Sequence, residues 1–320
     1  MTDVLVVGDA NPDLILRGDV VPRFDQAEQL LSEADVVLGG SAAIMAHGLA
    51  RLGRPVQLVA TTGADAFGYL VARMLAEAGV RSAGMVRDPR VRTGVTVVLS
   101  TPSDRAVLTF AGAIPALTLE QAESALDEAI REGVRHVHAA SFFLLPQLAP
   151  GLPELFLRAQ EAGLTTSLDT NYDPAQEWAG VEEVLPHLDL LFPNRAEALA
   201  LGGRLGDVGD DVAAAARLLS ERGPTVVVKD GAEGAMRVDP AGAALVEAGR
   251  AVVPVDTTGA GDTFDAAFVD SFLRDLDPEE CLRRACVAGA LSTSAVGGTS
   301  AQPTFDQLSS GGTEHASRDR

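Results

Sequence analysis

Residues 255–272 read VDTTGAGDTFDAAFVDSF. Phe264, Phe268 and Phe272 recur at i, i+4 and i+8, the spacing of one helix face turned to a core. The polar residues ahead of them therefore fall at the N-terminus of that helix. There the first backbone N–H groups lack internal partners and the macrodipole favours negative charge. Gly259 and Gly261 flank Ala260, so no bulky side chain keeps an anion away from this backbone. Asp262 adds a carboxylate at the mouth of the amide cluster, a group able to take a proton from a hydroxyl. A plainer reading, with Asp256 or Asp262 acting only as a helix cap, fits the spacing equally well.

On either side of this stretch the chain alternates short apolar runs with helical patterns. Strand-length runs lie at Val4–Gly8, Val56–Thr61, Val134–Ala139, Thr165–Leu168, Leu188–Phe192 and Thr225–Lys229. Helical periodicity is found at Ala42–Leu52, Gly68–Ala78, Leu119–Glu132, Leu152–Ala162 and Val212–Arg222. Continuous apolar strands separated by helices predict an α/β fold with a mainly parallel sheet covered on both faces. Two segments break the rhythm. Leu14–Leu38 has mixed polarity and no convincing helix. Val91–Gly112 reads as two strands, Gly94–Ser100 and Arg105–Ala111, joined by a turn at Thr101–Asp104. Segments of about 14–38 and 91–112 are thus expected to form a small β lid on one domain spanning 1–308. The Ser-Gly-rich end, 309–320, reads as a disordered tail.

Charge excludes several classes of function. With 25 Lys and Arg against 45 Asp and Glu, the net charge is −20. Such a field repels nucleic acid and anionic membranes, so neither is an expected partner. It also repels an anionic ligand at long range, so an anion site must be made attractive locally. No basic leader or membrane-length apolar run is present, which points to a soluble, cytoplasmic protein. Cys281 and Cys286 share one helix without metal or disulfide spacing and read as reduced packing residues. His136 and His138 face one side of a strand without a ligand set around them. Gly8–Pro12 after the first strand carries no G-x-G-x-x-G, which argues against a dinucleotide fold.

Further residues stand at places where open α/β sheets bind ligands. Asn11 and Asp13 follow the first strand; they suit hydroxyl recognition or a simple Asn-Pro-Asp turn. Gly39 and Gly40 suit a hinge or an ordinary turn. Asn194 and Glu197 are spaced as a capping box, an arrangement compatible with holding a hydrated cation. Lys229 ends a strand, ahead of Gly231 and Gly234, and suits either phosphate contact or solvent.

The string Asp256–Phe264 closely resembles the C-terminal signature of the ribokinase (PfkB) family of carbohydrate kinases, and the resemblance extends over roughly residues 3–304. It implies a ribokinase-like fold and transfer of the γ-phosphate of ATP to a hydroxyl. Asp262 is then the general base, and Gly259, Ala260 and Gly261 form the anion hole. It further implies that Asn11, Asp13, Gly39 and Gly40 face the substrate and that Lys229, Gly231, Gly234 and Asn194 lie on the nucleotide side. Glu197 and Asn194 would organise Mg²⁺ through water; Asp256 and Thr258 would border a monovalent cation, K⁺, near the segment Ala301–Thr304. Asp169 and Asn171 resemble a D-x-N segment facing the phosphates. One departure bears on the substrate. Where many members carry an Asn that binds sugar hydroxyls, this chain has Ile44, which cannot hydrogen-bond. A sugar is the expected acceptor, with a nucleoside kinase or a non-catalytic pseudokinase as alternatives and a homodimer through the lid as an expected assembly.

Overall fold

The computed structural model describes residues 2–24, 28–101 and 105–310. Its strands are β1 (Val4–Val7), β2 (Asn11–Gly18), β3 (Leu31–Gly39), β4 (Val56–Val59), β5 (Thr61–Gly63), β6 (Val86–Asp88), β7 (Val95–Ser100), β8 (Arg105–Phe110), β9 (His136–Ala140), β10 (Thr165–Asp169), β11 (Leu190–Leu191), β12 (Thr225–Lys229), β13 (Gly234–Val238) and β14 (Ala244–Ala248). The helices are α1 (Ser41–Arg51), α2 (Ala66–Glu77), α3 (Leu119–Glu132), α4 (Leu152–Glu161), α5 (Arg195–Leu205), α6 (Val212–Ser220), α7 (Ala260–Phe272), α8 (Pro278–Ser292) and α9 (Phe305–Ser310).

The apolar runs assemble into one eight-stranded sheet in the order β14-β13-β12-β11-β10-β9-β1-β4. It is parallel from β12 to β4 and closes with the antiparallel β13 and β14. Strand β1 shows why its run has no polar alternation: Val4 and Val6 pack on one side, Leu5 and Val7 on the other, and all four are fully buried. Both faces of a parallel sheet must be covered. Leu126, Phe156 and Leu219 of α3, α4 and α6 cover the Leu5 face. Leu49, Leu75, Phe268 and Leu282 of α1, α2, α7 and α8 cover the Val4 face.

The segments that broke the rhythm form a second, mixed sheet in the order β3-β2-β7-β8. Only β2 and β7 run parallel in it; the flanking pairs are antiparallel. Strands β3 and β8 are largely exposed, so their polarity is mixed, which is why Leu31–Gly39 carries no clear signal by itself. The expected turn at Thr101–Asp104 falls mostly outside the described residues. Elsewhere the structure corrects boundaries. The expected strand Val56–Thr61 breaks after Val59, and Thr61–Gly63 pairs with Val86–Asp88 outside the main sheet. Ser309 and Ser310 belong to helix α9 and not to a tail, while 311–320 lie outside the described residues. Among the described residues no helix is long and apolar enough to cross a membrane.

Candidate active site

Strands β1, β9, β10 and β12 all end on one edge of the sheet, and the loops that leave them meet the N-terminus of α7. The helix begins after Gly259, whose φ of 68° is a left-handed conformation that favours glycine. A Cβ there would lie 2.7 Å from the Gly298 backbone and 2.9 Å from Ile44 Cγ2. Ile44 is therefore buried beneath this turn, its side chain against Gly259 and Gly298. Asp262 sits in the first turn of α7 and is 8% exposed. Its Oδ1 accepts a hydrogen bond from Ser41 Oγ at 2.5 Å. Burial and the nearby Asp169 charge push its carboxyl up to about 7, against the pull of Ser41 and Lys229.

Behind Asp262 lies a buried charge cluster. Lys229, at the end of β12, pairs with Asp169 Oδ2 at 2.6 Å and with Asp265 Oδ2 at 3.0 Å. Oxygens of Asp169, Asp262 and Asp265 lie within 4.8 Å of one another, and the cation set among them is the Lys229 ammonium. Burial would raise Asp169, but Lys229 and hydrogen bonds more than offset it and hold that carboxyl below its ordinary value. Asp265 is raised well above it, chiefly by burial. The structure thus departs from the solvent reading of Lys229: the side chain is largely buried and its charge is shared by two carboxylates.

Asn194 and Glu197 form the capping box of α5. Asn194 Oδ1 accepts from Glu197 N at 3.0 Å and Glu197 Oε2 from Asn194 N at 2.8 Å. Glu197 is nonetheless buried, and burial, then Asp169, push it up to about 7. It faces the same Asp169–Lys229 pair as Asp262 does. Of the two glycines after Lys229, Gly231 has open space around it. Gly234 is packed so that a Cβ would meet Glu247 O at 2.0 Å, against β14.

Asn11 and Asp13 start β2, where Asn11 Nδ2 donates to Asp13 Oδ1 at 2.9 Å and to Thr96 Oγ1 at 3.3 Å. Gly39 is opposite Asn11, and a Cβ on it would lie 1.9 Å from Asp13 Oδ1, so the glycine is what gives this carboxylate room. Burial, then the charge of Asp9, push Asp13 up to about 7. Gly40, with φ 87°, hands the lid strand β3 over to α1. Asp256 accepts from Thr258 N, Thr258 Oγ1 and Gly297 N, all within 2.9 Å. The cation nearest it is Arg105 of β8, whose Nη1 donates to Thr258 Oγ1 at 2.9 Å and lies 3.5 Å from Asp256 Oδ1.

Asp262, Asp169, Glu197, Lys229 and the Gly259–Gly261 turn are therefore brought to one place, with Asn171 joined to it through Ser41. Sequence reasoning missed Ser41, Asp9 and Asp265. Asp9 follows β1 and its Oδ1 accepts from Ala42 N at 3.0 Å. Asp265, three residues after Asp262, was legible only as one more polar position on a helix. A cavity of about 430 Å³ lined by Thr61, Asp88, Arg90, Thr118 and Gln121 lies elsewhere and includes none of these residues.

Known proteins resemble this chain along nearly its whole length. The pfkB family carbohydrate kinase profile matches residues 1–305. An ATP-dependent ribose-1-phosphate kinase of Halopiger xanaduensis is 34% identical, over 96% of this chain and 97% of its own length. A ribokinase of Haemophilus influenzae is 28% identical, over 93% and 94%. The structure of Arabidopsis thaliana ribokinase complexed with ribose and ATP superposes with a TM-score of 0.82 at 25% identity, covering 97% of this chain and 98% of that one. The chain belongs to the PfkB family of carbohydrate kinases, ATP-dependent phosphotransferases on a ribokinase-like α/β fold with a small mixed lid sheet.

Proposed function

We propose that this chain phosphorylates a hydroxyl of a sugar or sugar-like molecule, with Asp262 as the general base. The observation that carries this reading is the position of Asp262: first turn of α7, beside glycine-lined amides, with Oδ2 free of any hydrogen-bond partner among the described residues. Asp262 takes the proton as the acceptor oxygen attacks the γ-phosphorus in line. The amides of Gly259, Ala260 and Gly261 stabilise charge on the transferred group. Asn11 and Asp13 orient the acceptor across Gly39 and Gly40. Ile44 contributes by packing under the anion hole and offers no hydroxyl contact.

The residues fit ATP and Mg²⁺. A helix N-terminus whose first residues, Gly259–Gly261, carry no side chain beyond a methyl suits a phosphate, and Glu197, buried and without an ion pair among the described residues, suits a hydrated cation. Glu197 and Asn194 would hold Mg²⁺ through water, and the ion supplies neutralisation of phosphate charge. On the nucleotide side, Gly231 stands open to a ligand, Gly234 supports the turn against β14, and Lys229 acts from behind the helix. Asp256 and Thr258 border the proposed K⁺ position, where Arg105 already supplies positive charge. The lid segments, about 14–38 and 91–112, belong to the single unit of residues 1–308 and close over the acceptor to exclude water. Val107, Leu108 and Phe110 on the edge strand β8 are exposed and suit pairing with a second copy.

Asp262→Asn is expected to lower turnover by about 10²–10⁴-fold with ATP binding retained; near-normal turnover would overturn the assignment. The 34% identity to a ribose-1-phosphate kinase favours a second reading of the acceptor, a pentose that already carries a phosphate. ADP release measured with ribose, fructose, ribose 1-phosphate and adenosine separates the two and also tests the nucleoside alternative. ATP binding without turnover on any acceptor would mark a pseudokinase.

A further inference from the structure

The two carboxylate oxygens of Asp262 are held differently. Among the described residues Oδ2 has no hydrogen-bond partner, whereas Oδ1 accepts from Ser41 Oγ. Ser41 Oγ in turn accepts a hydrogen bond from Asn171 Nδ2 at 3.1 Å, which leaves its own proton directed at Asp262. Asn171 is itself fixed from three sides. Its Oδ1 accepts from Ser141 N at 2.7 Å and from Ser141 Oγ at 3.3 Å, and its N donates to Asp169 Oδ1 at 3.0 Å. Its φ of 55° is a left-handed conformation that asparagine tolerates better than most residues. A relay of Ser141, Asn171 and Ser41 thus runs from the ends of β9 and β10 to the helix that carries the base. Ser41 enters it directly after Gly39 and Gly40, where the lid joins α1.

We infer that Ser41, aimed by Asn171, is a positioning residue for phosphoryl transfer: it holds Oδ1 of Asp262 so that Oδ2 faces the acceptor hydroxyl. The inference rests on the proposed role of Asp262 as base. A carboxylate rotated away from its acceptor loses much of its value, because small misplacements of a reacting group are costly in rate. The same hydrogen bond also favours the ionised carboxylate, the form able to take a proton. The charged groups facing Asp262 are Asp169 of β10, Lys229 of β12, Asp9 after β1 and Asp265 of α7 itself. Asp169 and Asp9 oppose ionisation, so the Ser41 donor acts with Lys229 against them.

The test uses Ser41→Ala, Ser41→Thr and Asn171→Gly in the full chain, with ATP, Mg²⁺ and whichever of ribose and ribose 1-phosphate is turned over. Glycine is chosen at 171 because it accepts the positive φ while removing the donor. Ser41→Ala is expected to lower kcat about tenfold or more with KM for ATP nearly unchanged. The acid limb of kcat/KM should move up by about one pH unit, since a donor to the charged form is gone. Ser41→Thr restores most of kcat and the wild-type limb, and Asn171→Gly shifts both in the direction of Ser41→Ala. An unmoved acid limb with normal kcat overturns the inference, as does an effect confined to acceptor KM. The latter would mean that Ser41 only fills the acceptor's place. Should Ser41→Ala melt early, Asn171→Gly carries the test alone. Asp262→Asn run alongside separates the two failures: if it keeps its turnover, the base assignment falls; if it loses turnover while Ser41→Ala does not, only the positioning role falls.

Discussion

At the scale of single residues, the site is a set of carboxyl groups kept in unfavourable surroundings. Asp262 has an ordinary value near 3.8 and is carried to about 7, chiefly by burial. A carboxyl whose folded value is raised lowers stability as pH climbs from its unfolded to its folded value, because the unfolded chain ionises first. The penalty is absent below about pH 4, grows towards pH 7 and then levels off at roughly 4 kcal/mol at most. Asp262→Asn should therefore melt several degrees above the wild type at pH 8 and at nearly the same temperature at pH 4; equal melting at pH 8 would refute the burial account. Lys229 has the opposite sign. Its removal as Lys229→Met leaves Asp169 and Asp265 buried without their cation, a change expected to cost about 3–5 kcal/mol in urea unfolding. Asp262 was legible in the sequence because glycines and a phenylalanine ladder surround it. Ser41, Asp9 and Asp265 were not, since their roles arise from chain segments tens to hundreds of residues apart.

At the scale of elements, legibility follows how completely an element carries its own boundary signals. Helix α3 was read to the residue at both ends. Thr118 and Gln121 form a reciprocal capping box and Gly133 ends the helix at φ 87°. Strands β2 and β3 carry no such marks. Their sheet has exposed positions along both outer strands, so no periodicity separates them from loop, and their pairing is set by contact with β7. What the sequence did show at this junction was Gly39, without the reason for it. The structure supplies that reason as steric, since the φ there is not in the left-handed region and the obstacle is the Asp13 carboxylate. Gly39→Ala should therefore displace Asp13 and raise KM for the acceptor about tenfold or more, while ATP binding stays within about twofold. Equal loss of both affinities would show that the lid junction as a whole had shifted.

At the scale of the molecule, the net charge of −20 sets a problem for any phosphate substrate. Among the described residues, the basic groups near the site are already engaged: Lys229 with Asp169 and Asp265, Arg105 with Asp256, Arg195 with Asp230. On the proposed reading, attraction for ATP is thus left to neutral amides at the start of α7 and to the divalent ion that ATP brings. Two consequences follow together. Chelation with EDTA should remove turnover and weaken ATP binding, because amides alone face a strongly acidic protein. In the presence of Mg²⁺, raising KCl from roughly 50 to 300 mM screens repulsion between like-charged partners over more than a Debye length. Association of ATP should then hold steady or quicken, read by stopped-flow fluorescence of an ATP analogue. A site built on exposed lysines would slow under the same salt, and such slowing here would show that free cations, not backbone amides, recruit the nucleotide.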